Sequence, residues 1–362
     1  VDFPDLNSAD GLFVGSDAIS DLLSNRPAAY WSQTASRPRV SFIVLSFENA
    51  HFLRSTLLSV SRQSYESMEI VVGDDGSRDP SPQVIREWIR GEPRPVLAVL
   101  WRQNGGIVRN YNGALRWSRG EFIAHIGSDD INVASRVQAQ CLALELSSAA
   151  MCISGMDVID AEGRTLRRVD PRLAQQDLDF VLARGCVAVT SPTMTYRRRL
   201  IDDFGMLPQD LANEDEALAF RALLSGGIEV LPVSLVQYRI HSGSVTARNR
   251  QFSWAGYLRW LERNLPFQLA NKRHWQMSLE KVEASQARKA EADRQLMVLE
   301  SRLALLRSTG QFGLLRRTAR LLRAAEGRTM VRGFVDQALR ALKLEGLLIR
   351  ARIMGVRPEV RE

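Results

Sequence analysis

The sequence predicts an α/β fold in which helices cover the faces of a largely parallel sheet. Between residues 39 and 130, apolar runs of strand length alternate with segments that carry apolar residues at helical spacing. Three of these runs end in polar or acidic residues, the position at which parallel sheets bind their ligands. The length of 362 residues, 45% of them apolar, suffices for two or three structural units with a core.

The predicted elements alternate regularly along this part of the chain. Buried strands are predicted at 39–47, 68–75, 95–101 and 121–130, and helices at 50–63, 82–91 and 107–120. A helix between two strands is the usual connection in a parallel sheet. Residues 1–38 are rich in loop residues, with one short helix predicted at 16–25.

The basic character of the chain belongs to its C-terminal part. Residues 248–362 contain 24 basic and 11 acidic residues, whereas residues 1–247 contain 24 basic and 30 acidic ones. A nucleic-acid partner is not expected, because the larger part is acidic and no aromatic platform accompanies the basic tail. The sequence shows no apolar run of transmembrane length, no signal-like start and only three cysteines, without CxxC spacing. We therefore expect a cytoplasmic protein, with peripheral binding to the inner face of the cytoplasmic membrane as a further expectation.

Acidic residues accumulate where three predicted strands end. Glu48 follows the first strand, Asp74 and Asp75 end the second, and Asp129 and Asp130 end the fourth. Carboxylates gathered at one sheet edge predict a divalent cation, Mn²⁺ or Mg²⁺, bridging to the phosphates of a nucleotide diphosphate. Neither a GxGxxG after the first strand nor a GxxxxGK[ST] segment occurs, which argues against a dinucleotide-binding domain and a P-loop enzyme.

Four segments together carry a resemblance to a known family. They read VSFIVLSFENAHFLRSTLLSVSRQSYESMEIVVGDDGSRD, NGGIVRNYNGALRWSRGEFIAHIGSDD, NEDEALAFRALLSGG and YRIHSGSVT. In order and spacing they resemble the motifs of the family 2 glycosyltransferases, which transfer sugars from nucleotide diphosphate sugars. The resemblance implies a GT-A fold over 39–247, after an N-terminal extension (1–38) and before a helical region (248–362). It also implies inverting transfer, with UDP as the expected nucleotide by family frequency.

The resemblance assigns roles to individual residues. Asp215 matches the general base, Asp130 is the preferred metal ligand, and His241 is placed near the metal, although a purely structural role is equally open for this histidine. The residues implied in nucleotide binding are Leu45, Ser46, Phe47, Glu48, Asp75, Arg109, Ser128 and Asp129.

The chain also departs from the family pattern. Gly127 stands where many relatives have an acid before SDD, Phe47 stands where Tyr is common, and Glu48 where Asn is common. A QxxRW motif is absent, so we expect a non-processive enzyme. The family resemblance separately implies a saccharide or lipid-linked saccharide as the acceptor.

Two polar clusters have alternative interpretations. Asn213 is expected to cap a helix whose first turn carries Glu214 and Glu216, both favourable at the positive helix end. The arginines at 197–199 either bind a phosphate of the acceptor or belong to ordinary surface.

The tail leaves further alternatives open. Leu296, Leu299, Leu303 and Leu306 follow a 3–4–3 spacing, which fits an oligomerising coiled coil or packing on the catalytic domain. Residues 313–355 are basic and amphipathic, as in helices that lie on anionic membranes or in solvated bundles. For the whole chain, the rival functions are an inactive scaffold with the same fold and a nucleotidyltransferase, which would release pyrophosphate.

Overall fold

The structure, a computed structural model, describes residues 9–14, 39–171, 177–184, 189–211, 213–244 and 254–308. The chain divides into two compact units. The first comprises Val1–Asp177 and Val189–Ala247, and the second comprises Leu178–Ala188 and Arg248–Glu362.

The described residues of the first unit form a mixed sheet of ten strands. The strands are β1 (Ala9–Val14), β2 (Val40–Ser46), β3 (Met68–Asp74), β4 (Val96–Trp101), β5 (Phe122–Gly127), β6 (Ile131–Asn132), β7 (Met151–Ile159), β8 (Thr165–Val169), β9 (Met194–Arg197) and β10 (Ile228–Arg239). Their order is β1-β4-β3-β2-β5-β9-β7-β10-β6, with β8 paired to β7 outside this path. Strands β4, β3, β2 and β5 are parallel, as are β7 and β10. The predicted mixed, mainly parallel sheet is confirmed.

Helices cover both faces of this sheet. In the first unit, the helices of the described residues are α1 (Ala50–Ser61), α2 (Ser81–Ile89), α3 (Ile107–Trp117), α4 (Arg136–Glu145), α6 (Arg199–Asp202) and α7 (Asp215–Leu224). Those of the second unit are α5 (Leu178–Arg184), α8 (Trp254–Lys281) and α9 (Gln286–Ser308). Leu57 of α1, Ile85 of α2 and Val137 of α4 share one buried apolar cluster with Val72 of β3. Gly73 faces the other side, because successive residues of a strand alternate. There the amide of Asn110 in α3 donates to the Gly73 carbonyl (3.0 Å).

All predicted strands and helices between residues 39 and 130 are present, with ends displaced by a few residues. The description of residues 1–38 as loop and one helix was incomplete, because Ala9–Val14 form β1, antiparallel to β4. An irregularity between Ala9 and Gly11 interrupts the pairing, so the segment lacks a clean alternating pattern. The predicted helix at 16–25 lies outside the described residues.

Helix α7 runs along the strand direction, between the carboxyl ends and the amino ends of the strands. At its end, the Arg199 guanidinium donates to the carbonyls of Ser148 and Ser225, at 3.0 and 2.7 Å. Ser148 precedes β7, and β10 begins opposite Met151, the first residue of β7. The end of α7 therefore lies at the amino end of β7, and its first residue, Asp215, lies toward the carboxyl ends of the strands.

The second unit contains a pair of packed helices. Leu265 and Leu269 of α8 form a buried apolar cluster with Leu299 of α9, and Leu296 packs against it. The predicted coiled coil gains no support, since these leucines have a partner within the chain. The side chains of Leu303 and Leu306, and all of 313–355, lie outside the described residues. None of the helices in the described ranges is long and apolar enough to cross a membrane.

Candidate active site

The neighbouring strands β3, β2 and β5 are parallel, and their carboxyl ends lie side by side. Ser46, the last residue of β2, pairs with Asp74, the last residue of β3. Leu45 pairs with Gly127, the last residue of β5, and both Leu45 and Ser46 are buried. The polar strand ends thus converge at one level, as expected from the sequence.

The neighbouring carboxylates of Asp74 and Asp75 have different surroundings. Asp74 turns back into its own loop and accepts hydrogen bonds from the N–H and hydroxyl of Ser77, at 2.9 and 2.8 Å. Asp75 accepts the N–H groups of Gly105 and Gly106, one on each oxygen, at 2.8 Å. Burial raises the pKa of both carboxyls, against the opposing effect of these hydrogen bonds. Asp74 therefore stabilises a turn, whereas Asp75 lies between two loops of the candidate site.

The residues after β2 adopt a constrained loop. Phe47 is 41% exposed at the site edge. Glu48 has φ = 51°, in the left-handed region that residues with a Cβ rarely adopt. Its N–H donates to the Ser77 hydroxyl and its Oε1 accepts the N–H of Arg78, both at 2.8 Å. Asn adopts this region more readily than Glu, so the loop carries strain where Glu48 replaces the common Asn.

Arg109 lies in the first turn of α3, close to the Asp75 loop. Its guanidinium carbon is 4.2 Å from the centre of the Trp101 ring, and Nη1 donates to the carbonyl of Gln103 at 3.1 Å. Its charge lowers the pKa of Asp75, a smaller effect than the rise caused by burial. A partly exposed cation therefore lies beside the acid predicted to bind the nucleotide.

The turn after β5 is fastened to α1. The hydroxyl of Thr56 donates to the carbonyls of both Ser128 and Asp130, at 2.9 and 2.7 Å. The amide of Asn49 donates to the hydroxyl of Ser128 at 3.0 Å. Ser128, a predicted nucleotide-binding residue, is buried and anchors this turn.

The carboxylates of Asp129 and Asp130 also differ. Asp130 is 2% exposed, and its Oδ1 accepts the N–H of Arg239 at 2.7 Å. Burial, and then the charge of Asp129, raise the pKa of Asp130 well above its ordinary value. Asp129 is more exposed, and its Oδ2 lies 3.1 Å from Nε2 of His241. The accessible carboxylate is therefore that of Asp129, although the sequence resemblance favoured Asp130 for the metal.

The donor set of Asp129 and His241 fits a divalent cation that takes its other ligands elsewhere. No group of three or more His, Cys, Asp or Glu that could hold a metal occurs in the described ranges. Nδ1 of His241 accepts the N–H of Gly243 at 3.3 Å, so in this arrangement Nε2 carries the ring proton and donates to Asp129. A cation bound at Nε2 would require the ring proton on Nδ1 instead, with the Gly243 contact given up. A carboxylate and an imidazole suit Mn²⁺ or Mg²⁺ if phosphate oxygens and water complete the shell.

Two residues that the sequence interpretation did not single out hold this pair in place. Nε of Arg239 donates to the carbonyl of Asp129 at 2.8 Å, and its guanidinium carbon lies 4.8 Å from the centre of the Phe52 ring. The Phe52 and His241 rings also contact each other, with centroids 4.6 Å apart. Phe52 lies at the apolar spacing of α1, which gives no signal of a site residue, whereas Arg239, two residues before His241, could have been found from the YRIH motif.

Gly127 leaves space beside the two acids. A Cβ at this position would lie 3.0 Å from Oδ1 of Asp129 and 3.7 Å from Oδ2 of Asp130. An acidic side chain here would bring a third carboxylate to the turn, so the glycine limits like-charge repulsion.

The start of α7 differs from the predicted capping arrangement. Glu214 occupies the N-cap position without a capping side-chain bond, and Asn213, the expected cap, donates to the carboxylate of Asp215. The same Asp215 oxygen accepts the N–H of Glu216 at 2.7 Å. Glu214 is fully buried, and its Oε1 accepts the hydroxyl of Ser191. The prediction of Asn213 as the cap was therefore wrong, and Glu214 lies buried at the N-cap position instead of in the first turn.

The three arginines at 197–199 do not face this edge. Arg197 pairs with Phe122, the first residue of β5, so the group lies at the amino end of that strand. Nη2 of Arg197 donates to the carbonyl of Leu144 at 2.6 Å, and Nη2 of Arg199 donates to that of Ser225 at 2.7 Å. These contacts favour a role of the three arginines in the fold, and their binding of an acceptor phosphate stays an untested prediction.

Comparison with known proteins identifies the family of this domain. Residues 41–205 match the model of the family described as Glycosyl transferase family 2. This part of the chain belongs to glycosyltransferase family 2. The chain is 25% identical over 215 residues to an uncharacterized glycosyltransferase of Nostoc. The aligned region covers 57% of this chain and 66% of the relative. It is 28% identical over 249 residues to the putative glycosyltransferase EpsH of Bacillus subtilis, with 65% and 71% covered.

The family 2 domain also resembles a solved structure. The crystal structure of S. aureus TarS 1–349 in complex with UDP-GlcNAc aligns with a TM-score of 0.54 at 20% identity, covering 71% of this chain and 70% of that chain. Together with the family match, this likeness confirms the predicted GT-A fold.

Proposed function

We propose that the family 2 domain transfers a sugar from a UDP-sugar to a hydroxyl of a saccharide or lipid-linked saccharide in cell-surface glycan synthesis, with inversion at the anomeric carbon. The observation that carries this proposal is the convergence of Asp75 and Asp129 at the carboxyl ends of β3 and β5. Glu214, the residue before α7, contacts His125 in the middle of β5 and so links the start of this helix to the same strand. The UDP-GlcNAc complex of S. aureus TarS supports UDP as the nucleotide.

In this proposal the nucleotide lies along the ends of β2 and β3. Asp75 keeps acceptor capacity on carboxylate oxygens that already hold the Gly105 and Gly106 loop, so it can accept an N–H of the base. Phe47 offers an exposed ring beside this acid, and Arg109 offers positive charge close to the phosphates.

Asp129 and His241 would hold the divalent cation. When bound, the cation supplies positive charge that stabilises the nucleotide diphosphate as a leaving group. Arg239 and Phe52 keep the two ligands together, and Asp130, buried on the N–H of Arg239, supports the turn from below.

Asp215 is the proposed general base. Its carboxylate would take the proton of the acceptor hydroxyl as that oxygen attacks the anomeric carbon, while the bond from the sugar to the diphosphate breaks. The product is the inverted glycoside and UDP, and no covalent enzyme intermediate forms. The position of Asp215 at the start of a helix gives the carboxylate a rigid support.

Calorimetric binding of UDP and GDP, with and without Mn²⁺, tests the donor site. We expect UDP binding that is strengthened by Mn²⁺, and loss of this metal effect in Asp129→Asn but not in Asp130→Asn. If only Asp130→Asn abolishes the effect of Mn²⁺ on UDP binding, Asp130 and not Asp129 is the metal ligand. If neither nucleotide binds under any condition, the active-transferase proposal fails and the scaffold hypothesis gains support.

Turnover of a UDP-sugar tests the base. Asp215→Asn is expected to lower kcat about 100-fold or more, in the range of general base catalysis. Asp210→Asn, the same chemical change at an exposed residue of the preceding loop, serves as the control and should leave kcat unchanged. NMR of the product gives the anomeric configuration, and release of pyrophosphate instead of UDP would indicate nucleotidyl transfer.

A further inference from the structure

We propose that His125, Ser191 and Glu214 form a buried positioning network that fixes the base Asp215 relative to the strand carrying the donor-site acids. The three side chains come from the middle of β5, the short helical turn Ser191–Thr193 and the residue before α7. This inference rests on the proposed function, because it assigns the network a part in placing the proposed base.

The contacts within the network are direct. Oε1 of Glu214 accepts the hydroxyl of Ser191 and lies 3.3 Å from Nε2 of His125. The same Nε2 lies 2.8 Å from Oγ of Ser191, so the three polar groups meet at one point. The side chains of His125 and Glu214 are fully buried, and the Tyr111 ring packs edge-on against the imidazole with centroids 5.4 Å apart.

The surroundings keep Glu214 ionised in spite of its burial. Burial raises the pKa of this carboxyl, but the hydrogen bonds and charge supplied by His125 and the hydroxyl of Ser191 outweigh it, so the pKa lies below the ordinary value. A charge-assisted contact of this kind is shorter and stronger than a neutral hydrogen bond, which gives it geometric precision.

Stability alone is a poor explanation of this arrangement. A buried cluster of polar or charged side chains is often no more stabilising than apolar residues of the same volume. Oε2 of Glu214 and Nδ1 of His125 are buried and have no hydrogen-bond partner in the part of the chain that the structure describes. Since partly satisfied networks cost stability, we attribute this network to the placement of the residue next to Glu214.

The chain geometry connects the network to both halves of the site. Glu214 precedes Asp215 directly, and its carbonyl accepts the N–H of Leu218 at 3.0 Å, so a fixed Glu214 side chain fixes the first turn of α7. His125 lies two residues, about 7 Å, before the end of β5, and the acid Asp129 follows in the next turn. Displacement of a catalytic group by about 1 Å can lower turnover roughly 100-fold.

Glu69 provides a matched control at the other edge of the sheet. It is fully buried at the amino end of β3, where it accepts the hydroxyl of Ser41 at 2.5 Å and the N–H of Arg119 at 2.6 Å. Glu69→Gln therefore makes the same chemical change to a buried, paired carboxylate that lies far from the strand ends.

The test compares Glu214→Gln, Ser191→Ala and Ser191→Thr with Glu69→Gln. We expect Glu214→Gln and Ser191→Ala to lower kcat about 10- to 100-fold, with the KM of the UDP-sugar and the calorimetric Kd of UDP changed less than about twofold. Ser191→Thr, which keeps the hydroxyl, should recover most of kcat. Glu69→Gln should lower the melting temperature without lowering kcat. Because the three residues act as a unit, the double variant His125→Asn/Glu214→Gln should have nearly the same kcat as Glu214→Gln alone.

Three results would overturn the inference. An unchanged kcat in Ser191→Ala would do so, and this variant decides the matter if Glu214→Gln fails to fold. A rise in the Kd of UDP that accounts for the lost turnover would show a general disturbance of the site. Equal losses of kcat in Glu69→Gln and Glu214→Gln would show an effect of stability only. Absence of both UDP binding and turnover in the wild type would instead overturn the proposed function, and the inference with it.

Discussion

Gly127→Asp is predicted to destabilise the first unit through charge repulsion rather than through lack of space. The substitution places a third carboxylate beside Asp129 and Asp130, at a position where a Cβ would already lie 3.0 and 3.7 Å from their oxygens. Gly127→Asn is the matched control, because the amide has nearly the same size and shape without the charge. The difference between the two variants isolates the electrostatic effect.

The expected magnitude follows from the separation of the charges. Two unit charges about 4 Å apart near a protein surface repel by about 4 kcal/mol at an effective dielectric constant of about 20. The true value is smaller, because Asp129 is partly exposed and water screens its charge. We expect the free energy of unfolding of Gly127→Asp to be about 1–3 kcal/mol below that of Gly127→Asn at pH 8.

Urea denaturation of both variants at pH 8, with and without Mn²⁺ and UDP, measures this difference. A cation held at Asp129 should reduce the gap between the variants, since it offsets the repulsion and binds only the folded state. Equal unfolding free energies of Gly127→Asp and Gly127→Asn without cation would contradict this prediction. The turn would then tolerate three carboxylates, and the glycine would need another explanation.

Three further predictions concern the surroundings of this turn. Because burial raises the pKa of Asp130 in the folded state, the wild type should lose stability as pH rises from about 4, the unfolded value, through the folded pKa. Asp130→Asn keeps an acceptor for the N–H of Arg239, so urea denaturation from pH 4.5 to 8 should show a flatter profile and an advantage over the wild type that grows with pH. Thr56→Val removes the hydroxyl that two turn carbonyls share and should cost about 1–3 kcal/mol in thermal unfolding, whereas Thr56→Ser should cost less. Phe52→Leu removes the ring against His241 and should raise the calorimetric Kd of Mn²⁺ in the presence of UDP several-fold, with the UDP Kd in the absence of metal unchanged.

Much of the fold could be predicted because its determinants are local. The runs at β2, β3 and β5 are mostly apolar and almost entirely buried, as is typical of strands covered on both faces, and the intervening helices show clear apolar spacing. Strands joined by such helices run parallel, so their polar ends had to meet at one edge. Strand β1 escaped prediction because its pairing with β4 is irregular and bridges more than eighty residues of chain.

The burial of Glu214 could not be predicted from its neighbours. In the segment NEDEAL, three acids before an apolar stretch match the first turn of a helix, where each would be favourable. The side chain turns inward because His125 and Ser191 offer it a partner, and these residues lie 89 and 23 positions away in the sequence. His125 itself stands in an apolar run, where a single histidine gives no periodic signal.

Contacts with residues far away in the sequence also explain how two adjacent aspartates acquire different properties. Asp129 and Asp130 are equivalent in composition, and the motif alone does not decide which of them meets a ligand. The N–H of Arg239, at the end of β10, binds the carboxylate of Asp130, and two residues later His241 lies beside Asp129. The register of β10 against the sheet therefore divides the pair into a buried support and an accessible carboxylate. On this argument, neutral substitutions at the two positions should separate stability from metal binding, with Asp130→Asn changing the first and Asp129→Asn the second.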